Sequence, residues 1–200
     1  MLSFVLGNGN SRKEFNVKHY KQYGNIYGCN AIYRDELVDY LVAVDPPMVQ
    51  EIIDNKAHLL TKFYTREHRR FTEIPNINII PKRLGWSSGP TALWLASHNK
   101  SSSICLVGFD FQSNINTINN IYSGTKNYKP TESPATYFGN WIKQVQLTVR
   151  DNPNINYYRL ITKEHRFTPP ELLRYPNFSN ITYEKLLEKF KMARFEPISE

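Results

Sequence analysis

Short apolar runs punctuate this chain, and longer two-faced stretches fill the gaps between them. Phe4–Leu6, Asn25–Tyr27, Tyr40–Val44, Asn78–Ile80, Ser103–Val107 and Asn156–Ile161 are rich in Val, Ile, Tyr and Phe and bounded by Gly, Pro or Asn. Each predicts a buried strand. "PPMVQEIIDN" opens on two prolines and sets Met48, Val49, Ile52 and Ile53 at helical spacing, the pattern of a helix begun by proline. "SSGPTALWLASHN" places serines and Pro90 ahead of Leu93, Trp94 and Leu95, a capped helix start. "SPATYFGNWIKQVQLTVRDN" and "TYEKLLEKFKMARF" are longer amphipathic candidates; the second is entered through Thr182, gathers Lys and Arg toward its end, and spans about 182–195. Strands and helices alternating over short connectors predict an α/β domain with a mainly parallel sheet covered on both faces.

Two stretches break this rhythm. Gln112 to Ser133, "QSNINTINNIYSGTKNYKPTES", carries neither period, and so long a loop inside a compact domain is an active-site lid or an excursion. "TREHRRF", Thr65 to Phe71, is the densest basic patch and reads as a solvated helix face.

Composition sets the outer bounds. The 200 residues with 40% hydrophobic content suit one domain over 1–200. No apolar run reaches spanning length and the first one is too short for a signal peptide, so a cytoplasmic location is expected. Cys29 and Cys105 lack CxxC spacing, which favours two buried reduced thiols over a disulfide or zinc site. The five histidines have no metal-ligand spacing. A charge of +7 suits an anionic ligand, whether nucleotide, phosphorylated acceptor or nucleic acid, and does not choose among them.

In a parallel sheet, ligands collect beyond the carboxyl ends of the strands. Three turns fall there. In "GNGNSRK", Gly7 and Gly9 let backbone approach a ligand, Asn8, Asn10 and Ser11 are short polar groups, and Arg12 and Lys13 add charge. The pattern is neither GxGxxG nor GxxxxGK[ST], and by itself it also reads as plain turn chemistry. Asn30 follows the second strand in "GCNAIYRD", as ligand contact or as strand terminator. "WSSGPT" offers Ser87, Ser88, Gly89 and the free amides of a helix start, an anion site or simple N-capping.

Taken in order, "GNGNSRKEF", "YGCNAIYRDELVDYLVAVDPP" and "SSGPTALWLASHNKSSSICLVGFDF" resemble the bacterial lipooligosaccharide sialyltransferases. More loosely they resemble the 6-hydroxymethylpterin pyrophosphokinase-like proteins and relatives found in phages and surface-polysaccharide clusters. The similarity covers about Ser3 to Pro130. It implies a Rossmann-like three-layer fold binding a nucleotide-sugar donor, a CMP-sugar in that family, without a DxD metal motif. It puts Asn8, Gly9 and Ser11 on the phosphate and ribose, Asn30 on the donor, Ser87, Ser88 and Gly89 on the turn that approaches the donor, and Gly108 and Phe109 along the base. Asp110 matches the Asp of the family's G-x-D-F strand end, or is a buried carboxylate holding nearby amides. The compact, Asn- and Ile-rich chain suits a phage-encoded member, which would act in the host cytoplasm.

The departures bear on chemistry. The family's general-base histidine after K-P-S is absent from "KPTESPATY", and the lid tyrosines that steady its leaving phosphate have only shifted counterparts in Tyr122 and Tyr128. Asp45 stands where the family has Asn before Pro. That carboxylate reads as an acceptor base, as a partner for Mg²⁺, or as a helix N-cap. His165 follows the last predicted strand on the same edge and is a further candidate for catalysis. The expectation is a glycosyltransferase acting on a glycan or modified-base acceptor. Its alternative is an inactive protein that kept the nucleotide pocket for binding or interaction.

Overall fold

The computed structural model describes residues 1–81, 84–113 and 116–194. Eight strands form one sheet: β1 (Leu2–Leu6), β2 (Asn25–Cys29), β3 (Tyr40–Val42), β4 (Lys62–Thr65), β5 (Ile77–Ile79), β6 (Ser103–Val107), β7 (Asn156–Leu160) and β8 (Phe178–Ile181). Their order is β5-β4-β3-β2-β1-β6-β7-β8, and every neighbouring pair is parallel. The chain therefore winds outward from β1 to β5, returns to the other side of β1 as β6, and winds outward again. Such a reversal opens a crevice at the carboxyl ends of β1 and β6.

Strand alternation divides the core in two. Phe4, Leu6, Ile26, Leu41, Phe63 and Cys105 face one layer, with α1 (Val17–Tyr20), α2 (Pro46–Asp54) and α6 (Tyr183–Phe190) contributing to it. Val5, Tyr27, Val42, Ile104, Leu106 and Tyr157 face the other, packed with α3 (Ser88–His98), α4 (Gly139–Asp151) and α5 (Pro170–Leu173). The result is a three-layer, Rossmann-like α/β fold. Leu93 to Ala96 are all buried, because α3 lies between the sheet and α4 and has little solvent face.

Two strands escape the apolar-run criterion. β4 is "KFYT" and β8 is "FSNI", four residues each and half polar. β4 and β5 together form the outer strands of one wing, and the predicted Tyr40–Val44 and Asn78–Ile80 narrow or shift to Tyr40–Val42 and Ile77–Ile79. "TREHRRF" is no helix; after Thr65 it becomes the irregular loop at the carboxyl end of β4. α4 begins only at Gly139, with "SPATYF" outside it. α6 is capped by Thr182, which accepts from the Lys185 amide, and ends at Phe190 before the left-handed Lys191. Phe195, the predicted end of that helix, lies outside the described residues, as do Asn114 and Ile115 of the predicted lid. Both cysteines are buried and free. Among the described residues no helix is long and apolar enough to cross a membrane.

Candidate functional site

The switch-point crevice is a cavity of about 460 Å³, a volume typical of small-ligand sites. One wall is made by the turns that follow β1 and β6, and these are fitted to each other. A Cβ on Gly7 would stand 2.6 Å from the Gly108 carbonyl oxygen, and one on Gly9 2.5 Å from Asp110 Oδ2. Gly108 itself has φ +73°, with its would-be Cβ 2.7 Å from the Gly7 oxygen. The glycines are needed so that the two turns can touch.

The turn's polar groups are used the same way. The amides of Gly9, Asn10 and Ser11 donate to Gly108 O, Asn119 Oδ1 and Asp110 Oδ2 at 3.0, 2.8 and 3.2 Å. Asp110 also accepts from Ser11 Oγ and from Asn119 Nδ2, and lies 3.8 Å from His165 Nε2. This is the arrangement of a buried carboxylate organising its neighbours. From below, Arg159 of β7, fully buried, donates Nε to Phe109 O at 2.6 Å and Nη2 to Asp110 O at 3.3 Å. Burial pulls its pKa down to about 10 against the stabilising pull of Asp110. Sequence patterning missed Arg159, which sits as one polar letter in an otherwise strand-like run.

The stretch after β6 is docked onto this wall. Ile121 donates its amide to Asn8 O, and the isolated bridge Thr117–Pro134 closes the base of the loop. Tyr122 is buried; its hydroxyl donates to Asp35 Oδ2 at 2.6 Å and accepts from Arg12 Nη2 at 2.8 Å. Arg12 Nη1 meets Gly7 O and Asn8 Oδ1. Arg12 and Tyr122 therefore brace the turn from behind. Tyr128 differs: its oxygen accepts from Asn8 Nδ2 at 3.1 Å and from the Ala31 amide at 3.4 Å, leaving its own proton to donate, and it lines the cavity. Burial, with Cys29 nearby, raises its pKa and keeps that proton in place. Farther along, Asn127 Nδ2 donates to Glu51 Oε2 at 2.7 Å, and Arg34 bonds both Glu51 and the Lys126 carbonyl.

The opposite wall consists of helix starts. α2 begins behind Asp45, α3 behind Ser87 and α4 behind Phe138, and all three positions line the cavity. None of the three receives a side-chain cap, and none carries an acid in its first turn. At α3 and α4 the leading amides and the helix dipole make the start attractive to an anion, whereas α2 opens on Pro46 and Pro47, which have no N–H, and adds its dipole and little else. Ser88 Oγ accepts from the Val44 amide at 3.1 Å and keeps its hydroxyl proton. Ser87 Oγ accepts from Trp141 Nε1 at 2.9 Å, which fixes that ring in the wall. Asp45 is exposed, and among the described residues nothing bonds its carboxylate. Asn30 has a left-handed backbone, φ +54°, and its buried Oδ1 has no hydrogen-bond partner among the described residues. Such an orphaned acceptor, in a residue lining the cavity, is costly unless a ligand meets it. The Cys29 thiol also lines the cavity, pushed up to about 11 by burial, and is inert.

Of the sequence-predicted residues, Gly7, Asn8, Gly9, Asn30, Asp45, Ser87, Ser88, Gly89, Gly108, Phe109, Asp110 and Tyr128 line this cavity. Ser11, Arg12, Tyr122 and His165 do not line it; they stand behind the wall, and His165 reaches Asp110 and Thr162 instead. Residues not anticipated include Phe111, at φ +58°, and Asn119, Lys129, Phe138 and Trp141. No protein-family model, curated protein or solved structure matches the chain.

Proposed function

We propose that the protein is a glycosyltransferase that draws on a nucleotide-sugar donor held in the switch-point cavity. The observation that carries this reading is the convergence of the α3 and α4 starts, with their free leading amides, on one cavity that also holds the orphaned Asn30 Oδ1. A ligand with an anionic phosphate and a hydroxyl or amine to donate satisfies both. The sequence resemblance supports a CMP-sugar as the first donor to test.

In this reading the Ser88 and Gly89 amides and the Ser88 hydroxyl hold phosphate oxygens, and Asn30 Oδ1 accepts from the ribose or base. The Tyr128 hydroxyl keeps its proton and donates a hydrogen bond to the leaving phosphate. An acceptor hydroxyl oxygen attacks the anomeric carbon while its proton passes to the Asp45 carboxylate. The anomeric carbon–oxygen bond breaks, and its electron pair leaves with the phosphate. A resident Mg²⁺ does not fit the residues present: Asp45 offers one open carboxylate, Asp110 is bonded inward, and among the described residues no three His, Cys, Asp or Glu side chains gather. No step is assigned to a metal.

The inward bonding of the opening turn's amides supports a second reading, a protein that sequesters a nucleotide without turning it over. One experiment separates the two. Thermal shift against CMP, CDP, UDP, GDP, ADP, ATP and nucleotide sugars should stabilise the fold by about 2.7 kcal/mol for a ligand at a hundred times its Kd. Asp45→Asn should keep that shift and lower sugar transfer or donor hydrolysis by about 10²- to 10⁴-fold. Binding without turnover in the parent protein selects sequestration, and no shift with any nucleotide sinks both readings.

A further inference from the structure

Tyr137 is 78% exposed, the most exposed large apolar side chain among the described residues. Its ring is nonetheless placed: a Cβ on Gly139 would overlap it, so it lies over the first turn of α4 only because residue 139 has no side chain. Thr136 and Phe138 on either side of it line the cavity, and so does Trp141 one turn later. Phe138 and Trp141 meet edge to face, centroids 5.4 Å apart at 72°. The open Tyr137 ring is not itself a lining group; it lies over Gly139, flanked in sequence by two residues that line the cavity.

The charge around it selects what can stack there. Among the described residues, the charged ones that line the cavity are two carboxylates, Asp45 and Asp110, against one ammonium, Lys129. A nucleic-acid strand needs several cations along its phosphates. The other polar residues of the lining are mainly asparagines, which add no charge; Asn119 and Asn127 are already tied to Asp110 and Glu51, and Asn30 Oδ1 stays open. Amides both donate and accept, as hydroxyl groups do. A neutral, hydroxyl-rich ring meets these groups without a charge penalty.

Resting on the donor reading above, we propose that the Tyr137–Gly139 shelf is the acceptor subsite and takes the face of a neutral pyranose. The weakly positive C–H groups of that face lie on the negative face of the tyrosine ring, and a hydroxyl of the same sugar is presented to the cavity.

Saturation-transfer NMR with lactose and maltose tests the shelf, with an oligothymidylate as competitor class and nucleotide thermal shift run in parallel on each variant. Saturation of the ring C–H protons is expected in the parent protein. It should fall at least fivefold in Tyr137→Ala and in Gly139→Ala, and return in Tyr137→Phe. Gly139→Ala suits a helix start at least as well as glycine, so loss of signal there reports the displaced ring. All three variants should keep the parent's nucleotide shift. Equal saturation in Tyr137→Ala and parent overturns the proposal, as does oligothymidylate binding that depends on Tyr137 while the disaccharides give no signal. Absence of any disaccharide signal in a protein whose nucleotide shift is intact also overturns it. A Tyr137-dependent sugar signal without any nucleotide shift would instead sink the donor reading and leave the shelf standing as a sugar site.

Discussion

The two walls of the cavity are built on opposite terms. On the strand-end side, Gly7, Gly9, Asp110, Arg12, Tyr122 and Arg159 direct nearly every polar group at another part of the protein. On the helix-start side, Asp45, Ser88 and Asn30 keep a charge, a proton or a lone pair that the protein does not use. The first wall is a frame and the second holds the groups that can work on a ligand. The contrast says that stability and function have been given to different faces of one crevice, so substitutions in the two walls should move different observables.

The sharpest way to break this contrast is Gly108→Ala. The new Cβ meets the Gly7 oxygen at 2.7 Å while the backbone stays at φ +73°. Left-handed strain costs about 1 kcal/mol, and the overlap with rigid backbone adds about 2 kcal/mol. Denaturant unfolding should report a loss of about 3 kcal/mol, the sum of those two costs. A loss of ligand affinity with no change in stability would show that the turn belongs to the working wall after all.

Glu51 tests how the loop after β6 is held to the frame. It is buried, and burial alone would raise its pKa, yet bonds from Tyr33, Arg34 and Asn127 outweigh this and lower it. A carboxylate whose folded pKa is depressed contributes fully above its unfolded value, about 4.3, and the contribution fades as pH falls through the folded value. Glu51→Gln should therefore cost about 2 kcal/mol at neutral pH. Its deficit relative to the parent should close as pH drops below about 4.3. A deficit that stays constant down to low pH would mean the bonds to Tyr33 and Asn127, and not the charge, do the holding.

Much of the working wall was legible in the sequence, and much of the frame was not. Asn30 and Asp45 are turn and cap letters placed just after apolar runs, Ser87 and Ser88 are cap letters placed just before one, and topology then carries them to one edge because all the strands are parallel. Arg159 gave no such signal: in "NYYRL" alternation alone leaves its facing open, and the carbonyls it holds lie about 50 residues upstream. Tyr122 and Tyr128 stand six residues apart in the same loop, yet one braces Arg12 and the other faces the cavity. That difference is set by packing against the β1 turn and Asp35, which no local pattern encodes. The same limit hid β4 and β8, which are four residues long and half polar without alternation, and Tyr137, which reads as part of a longer helix until Gly139 is seen to start it.

The smallest predicted effect has the opposite sign and discriminates most finely between the walls. Asn30 holds a left-handed backbone at φ +54° and a buried oxygen without a partner among the described residues; both are costs in the free protein. Asn30→Gly removes the orphaned acceptor, whose burial costs about 1–3 kcal/mol, and relaxes the backbone. Against this stands the greater freedom of glycine in the unfolded chain, about 0.5–1 kcal/mol. The variant should be more stable than the parent by about 1 kcal/mol, the difference between those terms. It should also bind the proposed nucleotide ligand about tenfold more weakly, the equivalent of one lost hydrogen bond. Stability gained together with affinity lost is the signature of a residue kept for its ligand. A destabilised Asn30→Gly with unchanged affinity would move Asn30 into the frame, and the helix starts alone would then have to account for binding.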